Sequence, residues 1–316
     1  MNKNNITVVI PYYNESETIL ETLTSLNNQS LQPEKVILVN SSSTDNTSLI
    51  IDKWILDNKE ATTNIYINVF EHTNNPASSK NVGIRSTTTE LIAFMDCGQN
   101  FKSDWLQSQK NHLEKNKLDV VSGVVFCEGA NWVDRCAISQ TYGYKRYRPC
   151  VPSTLAYLSV FEKTGLFVEG RRAGYDVAWK IKLKEVGLKW AINPDVIIQY
   201  KGFNFAPNLY KMYNKVILYT KYSVGLYGKA TELVYLFSPI ILLFIAYSSL
   251  PLFIISLSFY FVFRSFLVPY FKSGNILFFK EYPLEAFFGL FIVGFVYDLA
   301  KFVGIIKGIN KYYLIK

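Results

Sequence analysis

Ile6-Thr7-Val8-Val9-Ile10-Pro11-Tyr12-Tyr13-Asn14-Glu15 is the stretch on which the fold turns. Five β-branched residues in a row suit a buried strand, and the proline ends it. Asn14 stands three residues before Glu17, a capping-box spacing that predicts a helix opening there. Ile19, Leu20, Leu23 and Leu26 follow at helical intervals. The same unit then repeats. A strand over residues 35–39 leads through Asn40-Ser41-Ser42-Ser43-Thr44 into a helix whose Ile50, Ile51, Trp54 and Ile55 share one face. A strand at residues 65–70 precedes a helix around 78–85, and a fourth strand at 91–95 ends at Asp96. Strands alternating with helices predict an α/β fold with a mostly parallel sheet covered on both faces. The ligand site of such a sheet lies beyond the carboxyl ends of its strands.

The residues just after the strands are therefore the ones to read: Pro11 to Glu15, Asn40 to Asp45, and Asp96-Cys97-Gly98-Gln99. None forms a G-x-G-x-x-G fingerprint or a Walker loop, which removes the main support for a nicotinamide-dependent dehydrogenase and for a P-loop hydrolase. The four cysteines show no C-x-x-C spacing and there are two histidines, so a structural zinc site is not expected and the thiols read as free. Residues 1–5 are polar and run straight into the first strand without a signal-peptide pattern, which predicts that the first domain stays where it is made.

Hydrophobic residues make up 49% of the 316 and aromatics 16%, and the mean hydropathy is +0.11. These values suit a chain that meets lipid. Charge divides at residue 200: before it 21 Lys+Arg balance 21 Asp+Glu, and after it stand 12 against 4, so all of the +8 lies in the second part. A basic excess beside apolar runs predicts contact with anionic headgroups and no binding of nucleic acid. Residues 208–229 place Leu209, Met212, Tyr213, Val216, Ile217 and Val224 at helical spacing, as an interfacial helix does. Residues 233–263 hold no charge and predict a membrane hairpin turning at Ser248-Ser249-Leu250-Pro251. A third block, 286–297, has 12 residues before Asp298, short of a perpendicular span, and the segment 286–306 is expected to be re-entrant or interfacial. The predicted organisation is a catalytic domain over 1–205, an amphipathic helix over 206–230 and a membrane-associated region over 231–316. Lysines on both sides of the hairpin put both of its ends, and the catalytic domain, on the cytoplasmic side.

Pro11-Tyr12-Tyr13-Asn14-Glu15, Ser43-Thr44-Asp45-Asn46-Thr47 and Asp96, in that order after successive strands, resemble family 2 glycosyltransferases of the GT-A fold. Asp298-Leu299-Ala300-Lys301 with Gly304 and Gly308 resembles the C-terminal end of membrane-attached members. The resemblance implies transfer of a sugar from a nucleotide-diphosphate donor to a lipid-linked or surface-glycan acceptor, with inversion. It implies that Pro11, Tyr12, Asn14 and Glu15 line the nucleoside pocket, joined by Asn40 and Ser41. Asn40 stands where the family usually has a carboxylate, so the base is left open. Asp45 is better read as a helix cap.

The family's Asp-x-Asp pair, which holds a divalent cation, is here Asp96-Cys97-Gly98, and one carboxylate is lost. Asp96 is then the single metal ligand for Mg²⁺ or Mn²⁺, a load that one carboxylate with diphosphate oxygens and waters can carry. Lys80 falls where the family has an Arg or Lys facing the donor, or else is a solvated helix residue. Gly174-Tyr175-Asp176 matches the start of the helix that carries the catalytic base, with Tyr175 in place of a Glu and Asp176 kept. Asp176 is accordingly the candidate base, Phe167-Val168-Glu169 and Arg171-Arg172 lying just ahead of it, and the residues around 127–160 fall on the acceptor side. Because Asn40, Gly98 and Tyr175 all depart from the usual carboxylates, the alternative is a silent relative that binds a glycan intermediate or a partner enzyme. Two or three apolar blocks are too few for a transporter built of inverted repeats.

Overall fold

The computed structural model describes residues 5–58, 65–70, 75–170, 173–200, 207–225 and 229–312. It divides into two compact units, Met1–Phe126 with Arg148–Lys201, and Cys127–Tyr147 with Gly202–Lys316. Cys127–Tyr147, which the sequence expectation placed within 1–205, clusters with the C-terminal unit.

In the first unit β1 (Ile6–Tyr12), α1 (Ile19–Asn27), β2 (Lys35–Asn40), α2 (Thr47–Asp57), β3 (Ile65–Phe70), α3 (Pro76–Ser86) and β4 (Leu91–Phe94) follow the predicted alternation. β5 (Gln99–Asn100), α4 (Trp105–Lys115) and β6 (Val120–Cys127) come next. After α5 (Trp132–Thr141), which belongs to the second unit, β7 (Arg146–Pro149), β8 (Leu155–Tyr157), α6 (Ser159–Thr164), α7 (Tyr175–Glu185) and β9 (Trp190–Tyr200) complete the sheet. Among the described residues the strand order is β3-β2-β1-β4-β8-β6-β9-β5, with β7 on β6. β1, β2, β3 and β4 pair in parallel, β8 runs antiparallel between β4 and β6, and β6 pairs with β9 in parallel.

Period-two alternation sends Ile6, Val8, Ile10 and Tyr12 into the core packed with α1 residues Ile19, Leu23 and Leu26, and Val9 into the core on the other face. Burying each such aliphatic side chain contributes roughly 1.5–3 kcal/mol. On the second face α3 comes very close to β1, because a Cβ on Gly83 would stand 2.2 Å from Val9 Cγ1. That contact fixes the height of α3 over the sheet, and any side chain at 83 would push the helix away.

The structure corrects the expected start of the first helix. α1 begins at Ile19, and Asn14 and Glu17 form no capping box. Instead Asn14 takes a left-handed backbone (φ 54°), which Asn tolerates better than most residues. Glu15 O accepts from the N–H groups of Thr18 and Ile19. Four residues of the expected helix thus become a loop beyond the strand.

In the second unit Asn208 caps α8 (Leu209–Ser223), accepting from Lys211 N at 2.9 Å. α9 (Lys229–Ser248) and α10 (Leu250–Val262) form the expected hairpin about Ser249. α10 runs on through a π-helical turn, Phe263–Leu267, into α11 (Val268–Ser273); α12 (Leu277–Glu281) follows. A second π-helical turn, Glu285–Gly289, opens α13 (Leu290–Tyr312). Three helical stretches, Ala230–Ser248, Leu250–Ser273 and Glu285–Ile309, are long and apolar enough to cross a membrane. The third is twice the length the sequence suggested, because Asp298 does not end it. Asp298 accepts from Arg264 Nη2 at 2.9 Å and from the Tyr260 hydroxyl at 2.8 Å, so its charge is matched inside the helical bundle.

Candidate active site

The loops after β1 and β2 are stitched to each other. Asn14 N donates to Ser43 Oγ (3.1 Å), Thr44 N to Asn14 Oδ1 (2.8 Å), Glu15 N to Thr47 Oγ1 (2.8 Å) and Ser16 N to Asp45 Oδ2 (3.1 Å). Asn14 Nδ2 also donates to Thr44 Oγ1. Both ends of the Asn14 amide therefore hold the loop, and its cap reading falls away. Asp45 accepts from the Thr47 hydroxyl and N–H as well as from Ser16, and these bonds pull its carboxyl down to about 2. It ties the start of α2 to the first loop and does more than cap.

Asn40 is buried, its Nδ2 on Ser48 Oγ (2.9 Å) and its Oδ1 accepting from Ser43 N (2.8 Å). The Tyr12 hydroxyl meets the same Ser48 at 3.2 Å. The Tyr12 ring is 2% exposed, since period two assigns it to the core with Ile10, whereas Tyr13 is 53% exposed. The sequence reading fixed on Tyr12 and missed Tyr13; strand alternation was the signal that separates them. Ser41 shares a 2.6 Å hydrogen bond with Ser79, and Pro11 O receives the Cys97 thiol at 3.9 Å. Burial pushes that thiol well up, helped by Glu15 and Asp96, so Cys97 is an inert wall residue. Gly98 (φ 70°) presents its N–H to Thr22 Oγ1 at 3.4 Å.

Glu15 lies at the mouth of this wall, half-buried and bonded to the Thr18 hydroxyl. Burial raises its pKa against the Thr18 bond, and the carboxylates of Asp96 and Asp45 raise it further.

Lys80 is no solvated residue. α3 is buried along almost its whole length, and the Lys80 ammonium, fully enclosed, reaches Asp96 Oδ1 at 2.7 Å. Burial alone would lower its pKa; the Asp96 carboxylate and Tyr175 outweigh this and hold it above the ordinary value, so the ammonium keeps its proton. The ring of Tyr175 lies 5.9 Å from Lys80 Nζ. Burial drives the Tyr175 phenol up to about 12, with Lys80 opposing and Asp96 and Asp176 adding.

Asp176 therefore acts on the same Tyr175 phenol that Lys80 and Asp96 act on. It sits half-buried in the first turn of α7, whose start is made by Gly174 in a left-handed conformation, and it caps nothing. Among the described residues no ion pair or hydrogen bond holds its carboxylate. Beneath it an aromatic stack fixes α7: Phe161 on Trp179 at 5.4 Å, and Phe167 edge-on to Tyr175 at 5.5 Å. Asn81, which the sequence reading passed over, holds the strand of chain leading to α7. Its Nδ2 donates to Phe167 O (2.8 Å) and Glu169 Oε1 (2.9 Å), and its Oδ1 accepts from Phe167 N (3.0 Å). Arg171 and Arg172 lie outside the described residues.

Asp96 offers a divalent cation one carboxylate oxygen, Oδ1 being taken by Lys80. Among the described residues no group of three or more His, Cys, Asp or Glu comes together. Mg²⁺ or Mn²⁺ fits here only as a singly anchored ion whose shell is completed by diphosphate and water.

The sequence profile of glycosyl transferase family 2 matches residues 7–170, just over half of the chain. The chain belongs to glycosyl transferase family 2. It is 26% identical over 209 residues to the pre-mycofactocin glycosyltransferase of Mycobacterium tuberculosis, covering 62% of this chain and 42% of that one. To the amylovoran biosynthesis glycosyltransferase AmsB of Erwinia amylovora it is 31% identical over 108 residues, covering 34% of this chain and 35% of that one. The chain therefore matches less than half the length of these relatives. The mannosyltransferase PcManGT of Pyrobaculum calidifontis, solved with GDP-Man and Mn²⁺, superimposes with a TM-score of 0.55 at 18% identity over 93% of this chain and 87% of that one. This family member has the GT-A fold.

Proposed function

We propose that this glycosyltransferase moves a sugar from a nucleotide-diphosphate donor to a hydroxyl of a lipid-linked or surface-glycan acceptor, by a single inverting displacement, in the assembly of a surface polysaccharide. AmsB, named for amylovoran biosynthesis, supports the pathway class, and the GDP-Man of PcManGT supports the donor class. The observation that carries the reading is Asp176, a carboxylate that caps nothing and acts on the same buried Tyr175 phenol as the Lys80–Asp96 ion pair.

On this reading Glu15, with the wall of Pro11, Asn40 and Ser41, accepts from a hydroxyl or N–H of the nucleoside, and the exposed Tyr13 gives its ring face to the base. Asn14, Asn40 and Tyr12 act through the loop they hold. Lys80 faces the diphosphate with its positive charge. A divalent cation bound through Asp96 would add charge to the departing diphosphate. The acceptor hydroxyl oxygen attacks the anomeric carbon while Asp176 takes its proton, and the bond from that carbon to the diphosphate breaks with its electron pair leaving on the diphosphate. The catalytic unit works at the cytoplasmic side of the membrane, where the lysines flanking the hairpin support its placement.

The test is Asp176→Asn in the detergent-solubilised full chain. Transfer falls by at least the ~10²–10⁴-fold that general-base catalysis contributes, and donor binding by calorimetry is unchanged. Wild-type turnover in that variant would remove Asp176 from the mechanism, and a chain that neither hydrolyses nor transfers any nucleotide sugar would favour the silent relative.

A further inference from the structure

α13, a helix of spanning length, meets the hairpin through Asp298 on Tyr260 and Arg264 and through Lys301 on Tyr235, but two of its other neighbours do not suit a span. α13 is followed along one side by two other helices, and its glycines mark the contacts. A Cβ on Gly289 would stand 2.9 Å from Cys136 Sγ of α5, and one on Gly294 would stand 2.8 Å from Gln140 Oε1. Further along, one on Gly304 would stand 2.7 Å from Thr220 Cβ of α8, and one on Gly308 2.8 Å from Lys221 O. α5 and then α8 therefore accompany α13 from residue 289 to 308, roughly 28 Å at the helical rise. Side-chain bonds lock the first part: Arg135 pairs with Glu285, and Gln140 Nε2 donates to Leu290 O at 2.5 Å.

α8 bears Lys211, Lys215 and Lys221 and no acidic residue. Met212 and Val216 are buried, while Tyr210, Lys211 and Asn214 make its exposed outer face. Where α8 begins, Trp132 and Tyr210, both exposed, share a shallow pocket with Lys211. Tryptophan, tyrosine and lysine in one place are the residues of the headgroup layer. The opposite side of α13 shows Phe288, Ile292, Phe295, Leu299 and Ile306, all exposed and at helical spacing, a single apolar stripe. A crossing α13 would carry α8, with the exposed Lys211 and the half-buried Lys215 and Lys221, through hydrocarbon that tolerates such charges only where they face protein. A helix lying flat presents its stripe to the acyl chains and leaves α8 among the headgroups.

We propose that α13 lies in the plane of one leaflet, held there by α5 and α8, so that the chain enters the bilayer only as the α9–α10 hairpin and its C-terminus stays on the face where the catalytic unit is. The occupant of the apolar stripe is lipid. The hairpin itself is suited to entry: the apolar window of α9 has no buried residue and that of α10–α11 has 11%. Its 20-residue first arm measures roughly the 30 Å of the hydrocarbon core.

Two measurements on the full chain test this. Cysteines placed singly at 115, 249 and 316 in a chain without its four native cysteines are labelled with a membrane-impermeant maleimide in sealed cells and in inverted vesicles. Positions 115 and 316 should label in the same preparation and 249 in the other. Labelling of 316 together with 249 would overturn the proposal. If the cysteine-free chain is not made, protease removal of a C-terminal tag from the native chain reads the same sidedness. Nitroxides at 292, 299 and 306 should show equal immersion depth by paramagnetic resonance, and a depth that runs from surface to centre and back to surface would mean a crossing. Neither readout depends on the chemistry proposed for Asp176.

Discussion

Replacing Lys80 with methionine tests the electrostatic centre of the site, because the substitution keeps the bulk of the stem and removes the charge. The ammonium is wholly enclosed and bonded to Asp96 at 2.7 Å, while the Asp96 side chain keeps 25% exposure. Removing one partner of a buried pair costs about 3–5 kcal/mol, and the partial exposure of Asp96 puts this pair at the lower end, about 3 kcal/mol. At ~2–4 °C per kcal/mol for a unit of this size, the melting temperature of the catalytic unit should fall by about 6–12 °C. Lys80→Met with Asp96→Asn leaves neither charge behind and should regain at least half of the loss, although donor binding stays weak in both variants. Thermal denaturation of the full chain in detergent, alongside calorimetric titration with a nucleoside diphosphate, gives both quantities. A single variant melting within about 2 °C of the native protein, or a double variant less stable than the single one, would refute the argument that a buried charge pair organises this corner.

With one carboxylate at the cation position, transfer should need a higher Mg²⁺ or Mn²⁺ concentration than a two-carboxylate site, and Gly98→Asp should lower that requirement. A Cβ at 98 meets the Thr18 methyl at an ordinary 3.6 Å, and the strain of the left-handed backbone (φ 70°) is smallest for Asn and Asp, so the variant should fold with some loss of stability. Full activity in excess chelator, unchanged by the substitution, would show that Lys80 neutralises the diphosphate alone. Glu15 has a raised folded-state pKa, so its ionised form is disfavoured by folding and the associated destabilisation sets in as pH rises past the carboxylate range. Glu15→Gln should therefore raise the melting temperature at pH 7 and weaken donor binding; a stability gain that persists equally at pH 3 would contradict the cause.

The parallel half of the fold was readable because its strands are short, mostly apolar runs, β-branched throughout the first five residues of β1, and α1 and α2 keep their period. What escaped the reading depends on partners far away in the chain. Asn14 looked like a cap until Thr44, thirty residues on, took both ends of its amide. Asp298 looked like the end of an apolar block because Arg264 and Tyr260, which match its charge, cannot be inferred from spacing. Lys80 looked half-solvated because what buries α3 is the closeness of Gly83 to Val9. The candidate carboxylates Glu15, Asp96 and Asp176 were legible as positions after strands and at a helix start. The burial that raises Glu15 and Tyr175, and the smaller additions from neighbouring carboxylates, required the fold.

Lys80 and Asn81 are consecutive residues with separate duties: one grips Asp96, the other the segment that delivers Asp176. A single peptide unit of α3 thus touches both the side of the site proposed to meet the departing diphosphate and the side proposed to meet the incoming hydroxyl. The loops after β1 and β2 run into α1 and α2 and touch α3 through Ser41 on Ser79, so base preference can drift most freely in loop residues away from that bond. New donors are accordingly open to this scaffold through its loops, while insertions or packing changes in α3 strike recognition and chemistry together.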